Sequence, residues 1–119
     1  MNTLPIPTKQ PMSPKFKTQW LDQLRNGGIR QGRRAYRTST CFCALGVLIN
    51  IVRPNSWTTA NQHHYLPGGI KDHVTYTTNA REIFWEAQLS PEAQVKICEM
   101  NDAEGKTFTE IADWVETNL

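Results

Sequence analysis

The sequence lacks the features that direct a protein into a membrane or a secretory route. No run of the 119 residues approaches the roughly 18 apolar residues of a membrane-spanning helix, and the longest apolar stretch, residues 44–52, contains Asn50. The first 14 residues are polar and interrupted by proline, so they lack the basic and then apolar layout of a signal peptide. These absences predict a protein without a membrane segment that is located in the cytoplasm.

Cysteine is also scarce. The three cysteines, Cys41, Cys43 and Cys98, are an odd number, and the first two are too close in sequence to pair easily within one strand or helix turn. This usage is typical of reduced, mostly buried thiols in a reducing compartment.

Motifs for metals and catalysis are missing as well. The cysteines and three histidines are potential zinc ligands, but Cys-x-Cys lacks the two-to-four-residue gap of common structural zinc sites. No Gly-x-Ser-x-Gly turn, phosphate-binding loop or paired histidines on a helix turn is present. The sequence therefore predicts no metal, no cofactor and a non-enzymatic protein. A pair such as Cys41 with His73 can still meet in space, so a small enzyme that acts on a nucleotide stays an alternative.

The chain does have the composition of a folded domain. It is 39% hydrophobic and 20% charged, with four tryptophans, and its length suffices for one core. Pro5, Pro7, Pro11 and Pro14 remove amide donors and restrict the backbone. We therefore predict a proline-rich flexible arm at residues 1–14 and a single globular domain at residues 15–119.

Local patterns predict the elements of that domain. Ser13 and Pro14 begin a helix that runs to about Asn26, where two glycines follow. Residues 29–40 favour a short strand or hairpin, and the dense apolar run of residues 42–52 favours a buried central helix. Alternation over residues 73–77 predicts a strand, and Asn79 is placed to cap a short helix.

The C-terminal third contains the clearest signals. Ser90 and Pro91 begin a helix to about Met100, whose predicted buried side chains include Val95, Ile97 and Cys98, and residues 101–105 form the predicted turn. Thr107 with Glu110 is a capping box before a helix with one apolar face. The expected fold is α+β and helix-dominated, with a short β-hairpin or sheet, a buried central helix and a C-terminal αα-hairpin.

Charge is distributed unevenly along the chain. Residues 1–53 contain nine basic and one acidic residue, a net +8, whereas residues 54–119 contain four basic and ten acidic residues, a net −6. The two halves are therefore expected to attract each other within one chain or across a homodimer, or the basic half attracts an anionic partner.

The basic half contains the candidate binding site. Five arginines lie within residues 25–37, with Tyr36 among them and Gly27-Gly28 near the start. Arginine binds phosphates and carboxylates in a bidentate manner, and an aromatic ring can stack on a base. This pattern predicts a small anionic ligand or a protein partner, with nucleic acid as the alternative. The candidate ligand-binding residues are Arg30, Gln31, Arg33, Arg34, Tyr36 and Arg37.

Several motifs together resemble a family of small bacteriophage and prophage proteins. They are Trp20-Leu21-x-x-Leu24-Arg25, Gln31-Gly32-Arg33, Leu45-Gly46-Val47-Leu48, Met100-Asn101-Asp102 and Phe108-x-Glu110-Ile111-Ala112-Asp113. The resemblance covers most of residues 16–119, although this chain has Cys-Phe-Cys-Ala where members usually have adjacent cysteines. It implies an accessory protein that acts in the host cytoplasm, by host takeover or anti-defence, and it implies no catalytic residues.

Overall fold

The computed structural model describes residues 11–66 and 70–119, and the side chains of residues 11–58 and 74–119. Within these ranges the fold is α+β and helix-dominated, with an antiparallel sheet, which confirms the predicted class. In chain order the elements are α1 (Pro14–Asn26), β1 (Arg37–Thr38), α2 (Ala44–Val52), β2 (Thr58–Leu66), β3 (Ile70–Tyr76), α3 (Ala80–Glu86), α4 (Pro91–Cys98), a π-helical turn (Glu99–Ala103) and α5 (Phe108–Asn118).

The sheet has the strand order β1-β3-β2, with β3 antiparallel to both neighbours. β2 and β3 form a hairpin in which Thr58 pairs with Tyr76, and the short strand β1 pairs Arg37 with Thr75. The predicted strand at residues 73–77 is confirmed as the end of β3. The sequence did not predict β2, because most of its residues are polar and lack a clear alternation.

The predicted central helix is α2, and it lies in the middle of the core. Six consecutive residues, 44–49, are buried, because this part of the helix has no polar side chain and must be covered on every side. Trp20 of α1 is fully buried against it, and its indole Nε1 donates a hydrogen bond of 2.9 Å to the Ala44 carbonyl.

The C-terminal αα-hairpin is confirmed, and so are its caps. Ser90 accepts from the Ala93 amide, and Thr107 and Glu110 form the reciprocal capping box at 3.2 and 2.9 Å. The apolar face of α5 is buried as predicted.

Three expectations about this region are wrong. Helical backbone continues as a π-helical turn over Glu99–Ala103, into the turn predicted at residues 101–105, and both Val95, which is 57% exposed, and Cys98 lie at the surface. The buried side of α4 is defined by Ala93 and Ile97, four residues apart, so Val95 points to another side. In the π-helical turn, which is wider than an α-helical turn, the adjacent residues Met100 and Asn101 are both buried.

Residues 1–10 of the predicted arm lie outside the described residues. The part that follows contacts the domain, since Met12 is buried in the core and its amide donates to the Leu119 carbonyl at 3.3 Å. The Ser13 amide donates to the Ala87 carbonyl at 2.9 Å. Among the described helices, none is long and apolar enough to cross a membrane.

Candidate functional site

A cavity of about 360 Å³ lies between residues 34–36, which precede β1, the end of β3 and the end of α4. Its apolar walls come from Leu45 of α2, Val74 of β3 and Ile97 of α4, together with the rings of Tyr36 and Tyr76. Small-ligand sites are concave, mostly apolar and about 300–1,000 Å³ in volume, with a few polar groups that orient the ligand. The cavity has the volume and the mostly apolar lining of such a site, so it is the candidate binding site.

The side chain of Asn101 connects three segments at the base of this cavity. Asn101 is 1% exposed, and its Oδ1 accepts hydrogen bonds from the Gln31 side chain at 2.9 Å and the Ala44 amide at 3.1 Å. Its Nδ2 donates to the Gly32 carbonyl and to Asp102 Oδ1, both at 2.8 Å. One satisfied amide thus ties the arginine-rich segment, the start of α2 and the π-helical turn together.

Arg34 and Asp102 are the charged residues in the wall of the cavity. The Arg34 amide donates to Asp102 Oδ1 at 3.0 Å, which supports a positive φ of 66° at Arg34. Such a φ is uncommon outside glycine. Arg34 is exposed, and within the described ranges its guanidinium forms no hydrogen bond or ion pair.

Three of the predicted binding residues, Arg30, Gln31 and Arg33, do not line the cavity. Arg33 Nε donates to the Asn101 carbonyl at 3.1 Å, and Gln31 Nε2 also donates to the Lys106 carbonyl at 2.8 Å. Both side chains therefore hold the connection between α4 and α5. Arg30 is exposed away from the cavity lining, and its carbonyl accepts from the Phe42 amide.

Tyr36 and Arg37, although adjacent in sequence, contact different aromatic groups. The ring of Tyr36 packs edge-on against Phe84 with 6.0 Å between centroids. The guanidinium of Arg37 lies 4.8 Å from the ring centroid of Phe42 and 5.4 Å from that of Trp57, a cation–π arrangement. Of the six predicted residues, the structure places Arg34 and Tyr36 in the cavity wall.

Two thiols and one phenol of the cavity wall, those of Cys43, Cys98 and Tyr36, have raised pKa values. Burial raises the pKa of the Cys43 thiol to about 12, and burial also raises the pKa of Tyr36. The pKa of the surface residue Cys98 is raised by partial desolvation of its thiol and then by Asp102, whose Oδ2 accepts from that thiol at 3.5 Å. At neutral pH the cavity therefore contains two thiols and a phenol in their protonated forms.

Asn101 and Asp102 are site residues that were not predicted, because the pair has the composition of a turn. A signal was present, since Ala93, Ile97 and Asn101 recur at intervals of four and place a polar side chain on a buried helix face. A buried polar side chain needs hydrogen-bond partners, so its position predicts a polar network.

Ion pairs within the chain join the two oppositely charged halves. Arg25 contacts Asp113 at 2.8 Å and Glu116 at 2.7 Å, and Arg53 pairs with Glu86. In the described part of the chain no three potential metal ligands cluster together, whereas the side chains of His63, His64 and His73 lie outside it.

Comparison with known proteins gives one family. No curated protein and no solved structure matches the chain. The model of the family described as Domain of unknown function (DUF8296) matches residues 12–119, which include every element of the fold and the whole cavity wall. The chain belongs to this family.

Proposed function

We propose that the protein binds a small organic anion in this cavity, with the apolar part of the ligand between the sheet and α4 and its anionic group against Arg34. The observation that supports this most is the Arg34 guanidinium in the wall of an apolar cavity, which has no ion-pair partner among the described side chains. A bidentate contact between arginine and a carboxylate is charge-assisted and is therefore stronger than a neutral hydrogen bond.

Binding rather than catalysis fits the state of the cavity side chains. A thiol attacks a substrate as the thiolate, and a pKa of about 12 leaves Cys43 protonated at neutral pH. The pKa of Cys98 is raised too, and its contact with Asp102 favours the protonated form.

A small ligand fits better than nucleic acid. A phosphate backbone requires several free cations in a row. Here Arg33 binds the Asn101 carbonyl and Arg37 lies over two aromatic rings, so these two guanidinium groups already have partners. The resemblance to phage proteins supplies the biological setting of the proposal, a non-enzymatic accessory protein in a host cell.

The experiment compares 3-phenylpropionate with its neutral analogue 3-phenylpropanol by isothermal titration and by ¹⁵N-resolved NMR. We expect the carboxylate to bind more tightly and to shift the amide signals of Val74 and Cys98. Arg34→Gln should abolish the preference for the carboxylate, whereas the matched control Arg30→Gln should keep it, because Arg30 does not line the cavity. Equal binding of the acid and the alcohol to the native protein would contradict the proposal.

A further inference from the structure

We propose that the ligand of this cavity is a zwitterion, an α-amino acid with an apolar or aromatic side chain, whose carboxylate contacts Arg34 and whose ammonium contacts Asp102. This inference rests on the proposed function, because it specifies the ligand class of the same site.

The carboxylate of Asp102 can accept a further hydrogen bond from a strong donor. Its Oδ1 already accepts from the Arg34 amide at 3.0 Å and from Asn101 Nδ2 at 2.8 Å. Its Oδ2 accepts only from the Cys98 thiol, at 3.5 Å, and a thiol is a weak donor. Within the described residues no lysine, arginine or histidine forms an ion pair with Asp102. An ammonium group, with its three donors, would supply the missing counter-charge.

The two charges of the wall are adjacent without neutralising each other. The backbone contact of Arg34 with Asp102 holds the residues side by side, yet the guanidinium does not come within ion-pair distance of the carboxylate. A ligand with one charge would leave the other wall charge partly desolvated and unpaired, which is costly. An α-amino acid, whose ammonium and carboxylate are attached to one carbon, can satisfy both.

The rest of the cavity determines the side chain of the ligand. Leu45, Val74 and Ile97 offer aliphatic contacts, and Tyr36 offers an aromatic one. A charged ligand side chain would find no counter-charge on these walls, since the thiols and the phenol stay protonated. The volume of about 360 Å³ is at the small end of the range for ligand sites, which suits an amino acid better than a nucleotide.

The electrostatic environment of Cys98 agrees with this orientation. After burial, the largest causes of the raised pKa of Cys98 are its hydrogen bond to Asp102 and the charge of that carboxylate, followed by Glu99. The end of α4 is therefore a place of negative potential, which favours an ammonium over a carboxylate there.

The test uses four probes on the whole chain. They are L-phenylalanine, L-leucine, 3-phenylpropionate, which lacks the amine, and 2-phenylethylamine, which lacks the carboxylate. By isothermal titration we expect L-phenylalanine to bind at least about tenfold more tightly than either fragment, since each fragment lacks one charge-assisted contact. L-leucine should bind as well, because aliphatic side chains form most of the wall. This comparison needs no variant, so it holds even where a substitution disturbs the fold.

Two variants test whether Asp102 contacts the ammonium group of the ligand. Asp102→Asn should reduce the affinity for L-phenylalanine to that of 3-phenylpropionate and leave the fragment unaffected. Glu104→Gln is the matched control, since Glu104 follows the same π-helical turn, pairs with Lys96 at 3.6 Å and does not line the cavity. Circular dichroism checks that both variants are folded.

The outcomes separate this inference from the proposed function. If 3-phenylpropionate binds as tightly as L-phenylalanine and Asp102→Asn changes neither, the zwitterion is wrong and the anion site stands. If 2-phenylethylamine equals L-phenylalanine, or if no probe binds, both proposals are wrong.

Discussion

The α-carbon of Gly46 lies directly against the backbone carbonyl oxygen of Tyr36, so a β-carbon at position 46 would overlap that oxygen. Gly46 belongs to the first turn of α2, and Tyr36 lies in the cavity wall. The Cys43 amide donates to the same carbonyl at 3.1 Å. This close approach sets the distance between the central helix and the segment that contains Arg34.

Gly46→Ala is expected to destabilise the protein by about 3 kcal/mol, because the backbone must move apart to admit the methyl group. Urea denaturation followed by tryptophan fluorescence measures the change. Gly28→Ala is the control, since a β-carbon there meets nothing within 4 Å but the φ of 65° is unfavourable for alanine. It should cost only about 1 kcal/mol. Equal losses in the two variants would show that the contact with Tyr36 is unimportant.

Asn101→Leu is expected to lower the free energy of unfolding by about 3 kcal/mol. The substitution leaves the Ala44 amide and the Gly32 carbonyl without the Asn101 side chain, and unsatisfied buried polar groups cost about 1–3 kcal/mol each. Chemical denaturation gives the value. Asn118→Leu on the exposed side of α5 is the control and should change stability by less than about 0.5 kcal/mol. A stable Asn101→Leu variant would exclude the structural role of this network.

The capping box predicts a pH dependence of stability. Hydrogen bonds from the Thr107 amide and hydroxyl lower the pKa of Glu110 below its ordinary value of 4.5. When folding lowers the pKa of a carboxylate, that group stabilises the protein at pH values above its pKa in the unfolded chain. This contribution is lost as the pH falls through its pKa in the folded protein. Glu110→Gln should therefore destabilise the protein at pH 7 and have a smaller effect at pH 3. Thermal unfolding at both pH values tests this, with the exposed Glu92→Gln as the control. An effect that is the same at both values would contradict the prediction.

The thiols of the cavity should differ in reactivity. Cys43 is buried with a pKa of about 12, so iodoacetamide at pH 8 should leave it unmodified in the folded protein, while the exposed Cys98 is alkylated. Asp102→Asn should speed the reaction of Cys98, because removal of the carboxylate lowers the pKa of that thiol. Peptide mass spectrometry follows both sites, and Glu104→Gln should leave the rate unchanged. A slower reaction of Cys98 in Asp102→Asn would refute the assigned cause of its raised pKa.

Much of the fold follows from residues that are close in sequence. Ser90 and Thr107 cap the last two helices because each side chain reaches an amide three residues further on. The apolar face of α5 and the dense apolar run of α2 are visible as periodicity and density. Strand β2 was not predictable in this way. It is stabilised by backbone hydrogen bonds to β3, and such pairing does not depend on a local side-chain pattern.

The candidate site could be predicted only in part. Of the predicted binding residues, Arg34 and Tyr36 line the cavity, whereas Arg33 and Arg37 contact groups that their local sequence does not indicate. Asp102 is 68 residues from Arg34, and no local pattern relates the two.

Caps and helix periodicity were decided by local chemistry, because they depend on neighbours within about four residues, and the charge of each half follows from its composition. The cavity was decided by tertiary packing alone. It exists because Gly46 lets the Tyr36 segment approach α2, and because Asn101, at the inward side of the π-helical turn, binds Gly32 and Gln31. Only this arrangement brings an arginine from the basic half and an aspartate from the acidic half to one apolar pocket.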